Sequence, residues 1–301
     1  MPTGSTDAYF FRQQGLPAIG FSPMKNTPIL AHDHNEYLNQ AEYLKGVDVY
    51  ISIIKACASY TTKAEAEALK DELKMRMVKN PELVYGKDFQ LLALFCLSRL
   101  QFLLELVISV ANNPSPSSSS SSSSSSASII SRFQEYLRIN TAQPNPNYYE
   151  AADFILSQAK ALSLESQTIE FVKNKPLILL KWPGKDPSLP SVLLNSHTDV
   201  VPDTKCVGLQ HLEAIRKLKD SGFEPIRTMY VSFVPDKEIG GSDGARMLVN
   251  SDVFEQMNVG FVLDEGLPSP GGEVSCISWG EVSVVLGDQG TRGTRAWSKV
   301  V

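Results

Sequence analysis

Three short apolar runs, each stopping at charged or imidazole side chains, constrain what this 301-residue chain can fold into. Val192-Leu193-Leu194 leads into His197-Thr198-Asp199 and then Val200-Val201-Pro202. Residues 228–234 form a β-rich run that closes on Pro235-Asp236-Lys237-Glu238-Ile239-Gly240-Gly241, and residues 259–263 form another that closes on Asp264-Glu265-Gly266. Runs of this length, bounded by turn residues, read as buried strands. Between the first two, residues 205–221 place Cys206, Leu209, Leu212, Ile215 and Leu218 along one side of a helix. Strand, helix, strand, helix, strand specifies an α/β layer fold, and such folds hold ligands beyond the carboxyl ends of their strands. The polar strand ends are therefore expected on one rim.

On an extended strand, residues two apart project to the same face, so His197 and Asp199 share a site. A neutral imidazole is a zinc ligand, and a carboxylate on its other nitrogen fixes the tautomer and raises its basicity. Taken alone, His-x-Asp is more often an ordinary polar strand end than a functional pair. Composition sets the outer bounds. With 43% apolar residues the chain is rich enough for a real core of one or two domains. A net charge of −5 gives no electrostatic case for nucleic acid. Cys57, Cys96, Cys206 and Cys276 are scattered, with no Cys-x-x-Cys pair, so a reducing cytoplasmic setting is the default.

Several long stretches carry a family resemblance. Residues 129–266, including Ser196-His197-Thr198-Asp199-Val200-Val201-Pro202, Lys205-Cys206-Val207-Gly208-Leu209-Gln210 and residues 235–241, resemble the amino-terminal part of the aminoacylases of the M20 metallopeptidase family, in their plant form. Ser5-Thr6-Asp7-Ala8, residues 14–24, Thr27-Pro28-Ile29-Leu30-Ala31-His32-Asp33-His34 and residues 43–50 resemble the carboxyl-terminal end of the same family. A tail precedes a head. The resemblance implies a three-layer αβα zinc-peptidase-like catalytic domain in permuted order, with the lid and dimerisation domain of the family missing. Domain termini often lie close together, which makes such an order physically tolerable. The expected organisation is 1–68 as the carboxyl-terminal part of the catalytic domain, 69–127 as linker, 128–280 as its amino-terminal part, and 281–301 as a frame-shifted tail.

The resemblance also implies a site. His197 matches one zinc ligand and Asp199 the catalytic carboxylate behind it. Glu238 matches a ligand of the second metal, Glu265 a ligand of the first, His32 the histidine from the family's far end, and Asp203 the bridging carboxylate. Asp203 reads equally well as the N-cap of the following helix. The cofactor implied is Zn²⁺, at two sites in the family and one or two here. The reaction implied is hydrolysis of a small-molecule N-acyl-L-amino acid to a carboxylate and a free amino acid. The partner expected is that substrate, with no nucleic acid and a membrane disfavoured though left open by the apolar segment 91–111, while the family dimerises through the part missing here.

Departures from the pattern predict impairment. Lys237 stands where the family has the glutamate general base, and an ammonium cannot take a proton from water at neutral pH. Tyr9 stands where an arginine would hold the substrate carboxylate, and a phenol makes no charged bidentate contact. Only four positions separate Asp199 from Asp203 because a long loop of the family is absent. From Gly280-Glu281 the match ends, and Val282-Ser283-Val284-Val285 is what codons for the family's Cys-Pro-Trp-Trp give one base out of frame. The glycines of residues 287–293 are accordingly not read as a phosphate loop.

The joining segment contains an unbroken serine run at residues 117–126, too polar to order itself. Residues 63–79 read as a solvated helix. Residues 91–111 are apolar but carry Arg99, Gln101 and Glu105, and each central charge costs roughly 2.5–3.5 kcal/mol on insertion, which disfavours a membrane span. Two function classes follow. One is a permuted, impaired zinc hydrolase; the other is a non-catalytic metal-binding pseudoenzyme or the remnant of a damaged tandem gene.

Overall fold

The computed structural model describes residues 6–30, 36–59, 123–200, 207–272, 274–278 and 282–286. Helices α1 (Ala8–Gln13) and α2 (Gln40–Ser59) flank strand β1 (Ala18–Ser22). Then come α3 (Ser123–Arg138), α4 (Tyr148–Ala161), β2 (Glu165–Ile169), β3 (Leu177–Trp182) and β4 (Ser191–His197). Helix α5 (Val207–Asp220), β5 (Met229–Val234), α6 (Ala245–Val249), α7 (Asp252–Gln256), β6 (Val259–Glu265), β7 (Val274–Ser278) and β8 (Val282–Leu286) complete the order.

All eight strands join one sheet in the order β2-β3-β5-β4-β6-β1-β7-β8. Its centre is parallel. Leu194 of β4 lies opposite Val231 of β5 and Leu263 of β6, and Ile19 of β1 lies opposite Leu263. The outer strands β2, β3, β7 and β8 pair antiparallel. Every residue of β4 is buried, which is why its sequence reads as a continuous apolar run closed by small polar residues and not as an alternation.

Side-chain alternation divides the interior into two cores, one on each face of the sheet. Ile19, Phe21, Ile178, Leu180, Val192, Leu194, Met229, Val231, Phe233, Phe261 and Leu263 pack beneath α2, α3, α4 and α5. Ala18, Leu177, Leu179, Leu193, Val234 and Val262 face the other way, onto α1, α6 and α7. The architecture is thus α/β with helix, sheet and helix layers, as the strand-helix pattern predicts. Residues 6–59 and 123–286 share it. Strand β1 is hydrogen-bonded on both sides, to β6 and β7, and α2 packs along α5. The helices meet closely at Gly46, where an added Cβ would overlap the Gln210 amide.

Local details differ from the sequence reading. The last four serines of the run, Ser123 to Ser126, form the first turn of α3 because Ile129, Phe133 and Tyr136 propagate a buried helical face behind them. The connection between β5 and β6 is two short helices, broken where Ser251 caps α7 by accepting from the Phe254 amide. Residues 282–286, at the start of the expected frame-shifted tail, pair with β7 as β8. The apolar segment 91–111 and the helix expected at 63–79 lie outside the described residues. Among the described residues no helix is long and apolar enough to cross a membrane.

Candidate metal centre

Because β4, β5, β6 and β1 run parallel, their carboxyl ends open on one rim, and the strand-end residues meet there. His197 ends β4. Its Nδ1 lies 2.8 Å from the backbone oxygen of Asp199 and 3.4 Å from Asp199 Oδ1, which assigns the ring proton to Nδ1. The other nitrogen, Nε2, faces Glu265 Oε2 at 3.0 Å and Glu238 Oε1 at 3.6 Å. Glu265, the last residue of β6, also accepts from the His197 backbone amide at 3.2 Å. Asp199 is fully buried and accepts from the Gln143 side chain at 3.1 Å and from the Glu238 amide at 3.0 Å.

Glu238 reaches the site through an unusual backbone. Asp236 adopts a left-handed conformation, φ 63°, before a single 3₁₀ turn over Lys237–Ile239, and Gly240 and Gly241 follow at φ 114° and 63°. Asp tolerates that region better than branched residues, and glycine enters it without strain. At Gly241 an added Cβ would also overlap Asp7, so the glycine lets the turn press against α1. The turn is pinned from below, where Asp236 accepts from the Asp243 amide and Lys175 pairs with Asp243 at 2.7 Å.

Lys237 lies in the same turn, and its Nζ donates to Glu238 Oε1 at 2.9 Å. Burial alone would lower the lysine's pKa, but Glu238, Glu265 and Asp7 hold it above the usual value. It is a cation. Burial likewise opposes charge on His197, yet Glu265 and Asp199 hold the imidazole well above its usual range. Glu265 is desolvated too, but His197 and Lys237 keep it an ionised carboxylate. Asp199 is kept ionised against its own burial by His197, Gln143 and the Glu238 amide.

Sequence reasoning missed Asp7. It stands at the start of α1, buried, and desolvation together with Asp264 raises its pKa far above the carboxylate range. Asp264 neighbours Glu265 but points elsewhere, accepting from Asn195 at 2.8 Å and from the Ala8 amide. These bonds fasten α1 to the strand ends. The only sequence signal for Asp7 was its place in Thr6-Asp7-Ala8; as an acidic residue opening a helix it otherwise reads as a cap. Tyr9 is exposed and accepts from Gln13 at 2.7 Å, and Arg12 donates to the Ala18 carbonyl at the opposite end of β1. Neither supplies the absent arginine. The structure brings His197, Asp199, Glu238, Glu265 and Lys237 together, whereas Asp203 and His32 lie outside the described residues.

The donors suit a divalent ion in part. With the imidazole held in its charged form, Nε2 carries a second proton toward Glu265 and Glu238, and a divalent ion bound there would take that proton's place. Ligands about 2.0–2.2 Å from a tetrahedral ion stand about 3.3–3.6 Å apart, close to the separations at Nε2. Glu238 Oε1, however, is engaged by Lys237. Among the described residues no group of three or more His, Cys, Asp or Glu is arranged to hold an ion.

Comparison with known proteins gives the rim a context. Residues 193–284 match Peptidase family M20/M25/M40. Aminoacylase-1 of Mus musculus is 42% identical over 168 residues, covering 47% of this chain and 41% of that one. Aminoacylase-1 of Homo sapiens is 39% identical over the same shares of the two chains. The chain spans about two fifths of the length of the curated relatives it matches. The crystal structure of human carnosine dipeptidase 1 aligns at 13% identity and a TM-score of 0.39, over 45% of this chain and 38% of that one.

Proposed function

We propose that this chain is a divalent-metal-binding, aminoacylase-type hydrolase of N-acyl-L-amino acids, built in permuted order and impaired in catalysis. The observation that carries this reading is the orientation of His197: Nδ1 is tied to Asp199 while Nε2 is aimed at Glu265 and Glu238. His197 and Glu265 would hold an ion, preferentially Zn²⁺, and Asp199 would fix the tautomer that points Nε2 at it. When bound, such an ion acidifies a water and polarises an amide carbonyl. The likeness to aminoacylase-1 supports the substrate class.

What the chain's own residues add is incomplete. Hydrolysis needs a base beside the water, and Lys237 presents an ammonium there. General-base assistance is commonly worth about 10²–10⁴ in rate. Substrate grip is weaker as well, because Tyr9 cannot clamp a carboxylate and Arg12 is turned to Ala18. The permuted order is supported by β1, which residues 6–59 insert between β6 and β7. In this reading the protein resides in the cytoplasm.

A second reading has an observation of its own. The partly buried Lys237–Glu238 pair is a charge-balanced arrangement that favours a metal-binding pseudoenzyme over a working hydrolase. Turnover of N-acetyl-methionine with Zn²⁺ present separates them. The hydrolase reading expects weak but zinc-dependent activity that Lys237→Glu raises at least tenfold. Complete silence of both proteins, with zinc bound, would leave the pseudoenzyme.

A further inference from the structure

Among the described residues of the rim, Glu265, Glu238 and the fully buried Asp199 lie against the cationic side chains of His197 and Lys237. Lys237 is three-quarters buried, with a side-chain exposure of 25%. Neighbouring residues on a regular helix point apart, so an ion pair between Lys237 and Glu238 is not a default of their sequence adjacency. It exists because the left-handed Asp236 and the positive-φ glycines confine the turn to three residues and aim both side chains inward. Backbone geometry, the 2.9 Å contact and burial all place the ammonium on the same carboxylate oxygen that approaches His197 Nε2.

We infer that Lys237 is a tethered counter-ion that occupies the charge position of a second divalent ion at Glu238, so that the chain takes one ion, at His197 and Glu265, and not two. This rests on the metal-binding reading proposed above. A tethered ammonium cannot be diluted away or chelated, and a second dication at Glu238 would have to displace it or lie against it. The same feature lets the acidic rim stay folded when metal is scarce.

The test is stoichiometry of the full-length chain, by elemental analysis after equilibration with Zn²⁺ and by titration calorimetry. Wild type should retain one zinc per chain, and Lys237→Glu and the near-isosteric Lys237→Gln should each retain a second. Stripping with EDTA should lower the melting temperature more in Lys237→Gln than in wild type, because the variant has lost its built-in cation. Two zincs in wild type, or one in wild type and both variants, would overturn the inference while leaving the metal-binding reading intact. No zinc in wild type would instead overturn that reading and this inference with it.

Discussion

At the scale of single residues, His211 is a costly side chain to bury. It is fully buried on α5, its ring stacks edge-on to Tyr50 at 4.5 Å, and neither nitrogen has a hydrogen-bond partner among the described residues. Desolvation pushes its pKa down to about 4, opposed weakly by Glu265. In the unfolded chain an imidazole titrates near 6.5, so the unfolded state binds the proton first. The neutral ring therefore favours the folded state fully above pH 6.5, and that contribution disappears as pH falls from 6.5 toward 4. The loss is about 2 kcal/mol at pH 5 and approaches roughly 3 kcal/mol below pH 4. His211→Phe should flatten the fall in melting temperature between pH 7 and pH 5 by several degrees, measured with EDTA present so that His197 titrates alike in both proteins. An unchanged slope would show that His211 finds a partner for its proton.

At the scale of elements, β4, β5 and β6 were legible because most of their residues are buried, so apolar runs and strand ends coincide within a residue or two. His197 and Glu265 stand out because each is a polar residue closing a buried strand, whereas Glu238 lies in the turn beyond β5 and was singled out by the family resemblance. Asp7 and Gln143 were not, since each comes from a loop or helix start whose position depends on long-range packing. The order of the sheet was not legible either, because periodicity says nothing of neighbours. The contacts between helices make separate predictions. Arg132 of α3 holds Glu213 of α5 through two bonds, 2.6 and 2.7 Å, and Glu213 is almost wholly buried. Arg216 stands 3.3 Å from the same carboxylate, so Arg132→Met leaves it partly paired. The expected cost is about 1–3 kcal/mol in chemical denaturation, below the 3–5 kcal/mol of a fully orphaned buried charge. At Gly46, alanine would displace the Gln210 amide from its bonds to the Tyr43 carbonyl and Met24 sulfur. Overpacking of this kind costs about 1–3 kcal/mol, and the gain of roughly 1 kcal/mol in helix propensity offsets only part of it. Gly46→Ala should lower the denaturation midpoint; a rise would mean that Gln210 can swing aside.

At the scale of the whole molecule, the distant segments 6–59 and 123–286 are interdependent. Strand β1 has a hydrogen-bonded neighbour on each edge, and without it β6 and β7 would present bare edges to solvent. The first segment also gives the larger core Ile19, Phe21, Tyr43, Val47, Tyr50, Ile53 and Ile54, each at most 1% exposed. At roughly 1.5–3 kcal/mol for each large side chain buried, these represent on the order of 10–20 kcal/mol of gross stabilisation. A domain's net stability is only about 5–15 kcal/mol, so neither part is expected to fold alone. The covalent joint between them is less important than the interface. A protease site engineered into the serine run at residues 117–122 should therefore be cut without releasing the pieces. They should co-elute on gel filtration in native buffer and separate only in denaturant, with the cut raising concentration dependence because association has become bimolecular. Residues 123–301 expressed without the first part should be insoluble or lack a cooperative transition. Clean separation of folded pieces after the cut would show that β1 is a replaceable edge and not the centre of the sheet.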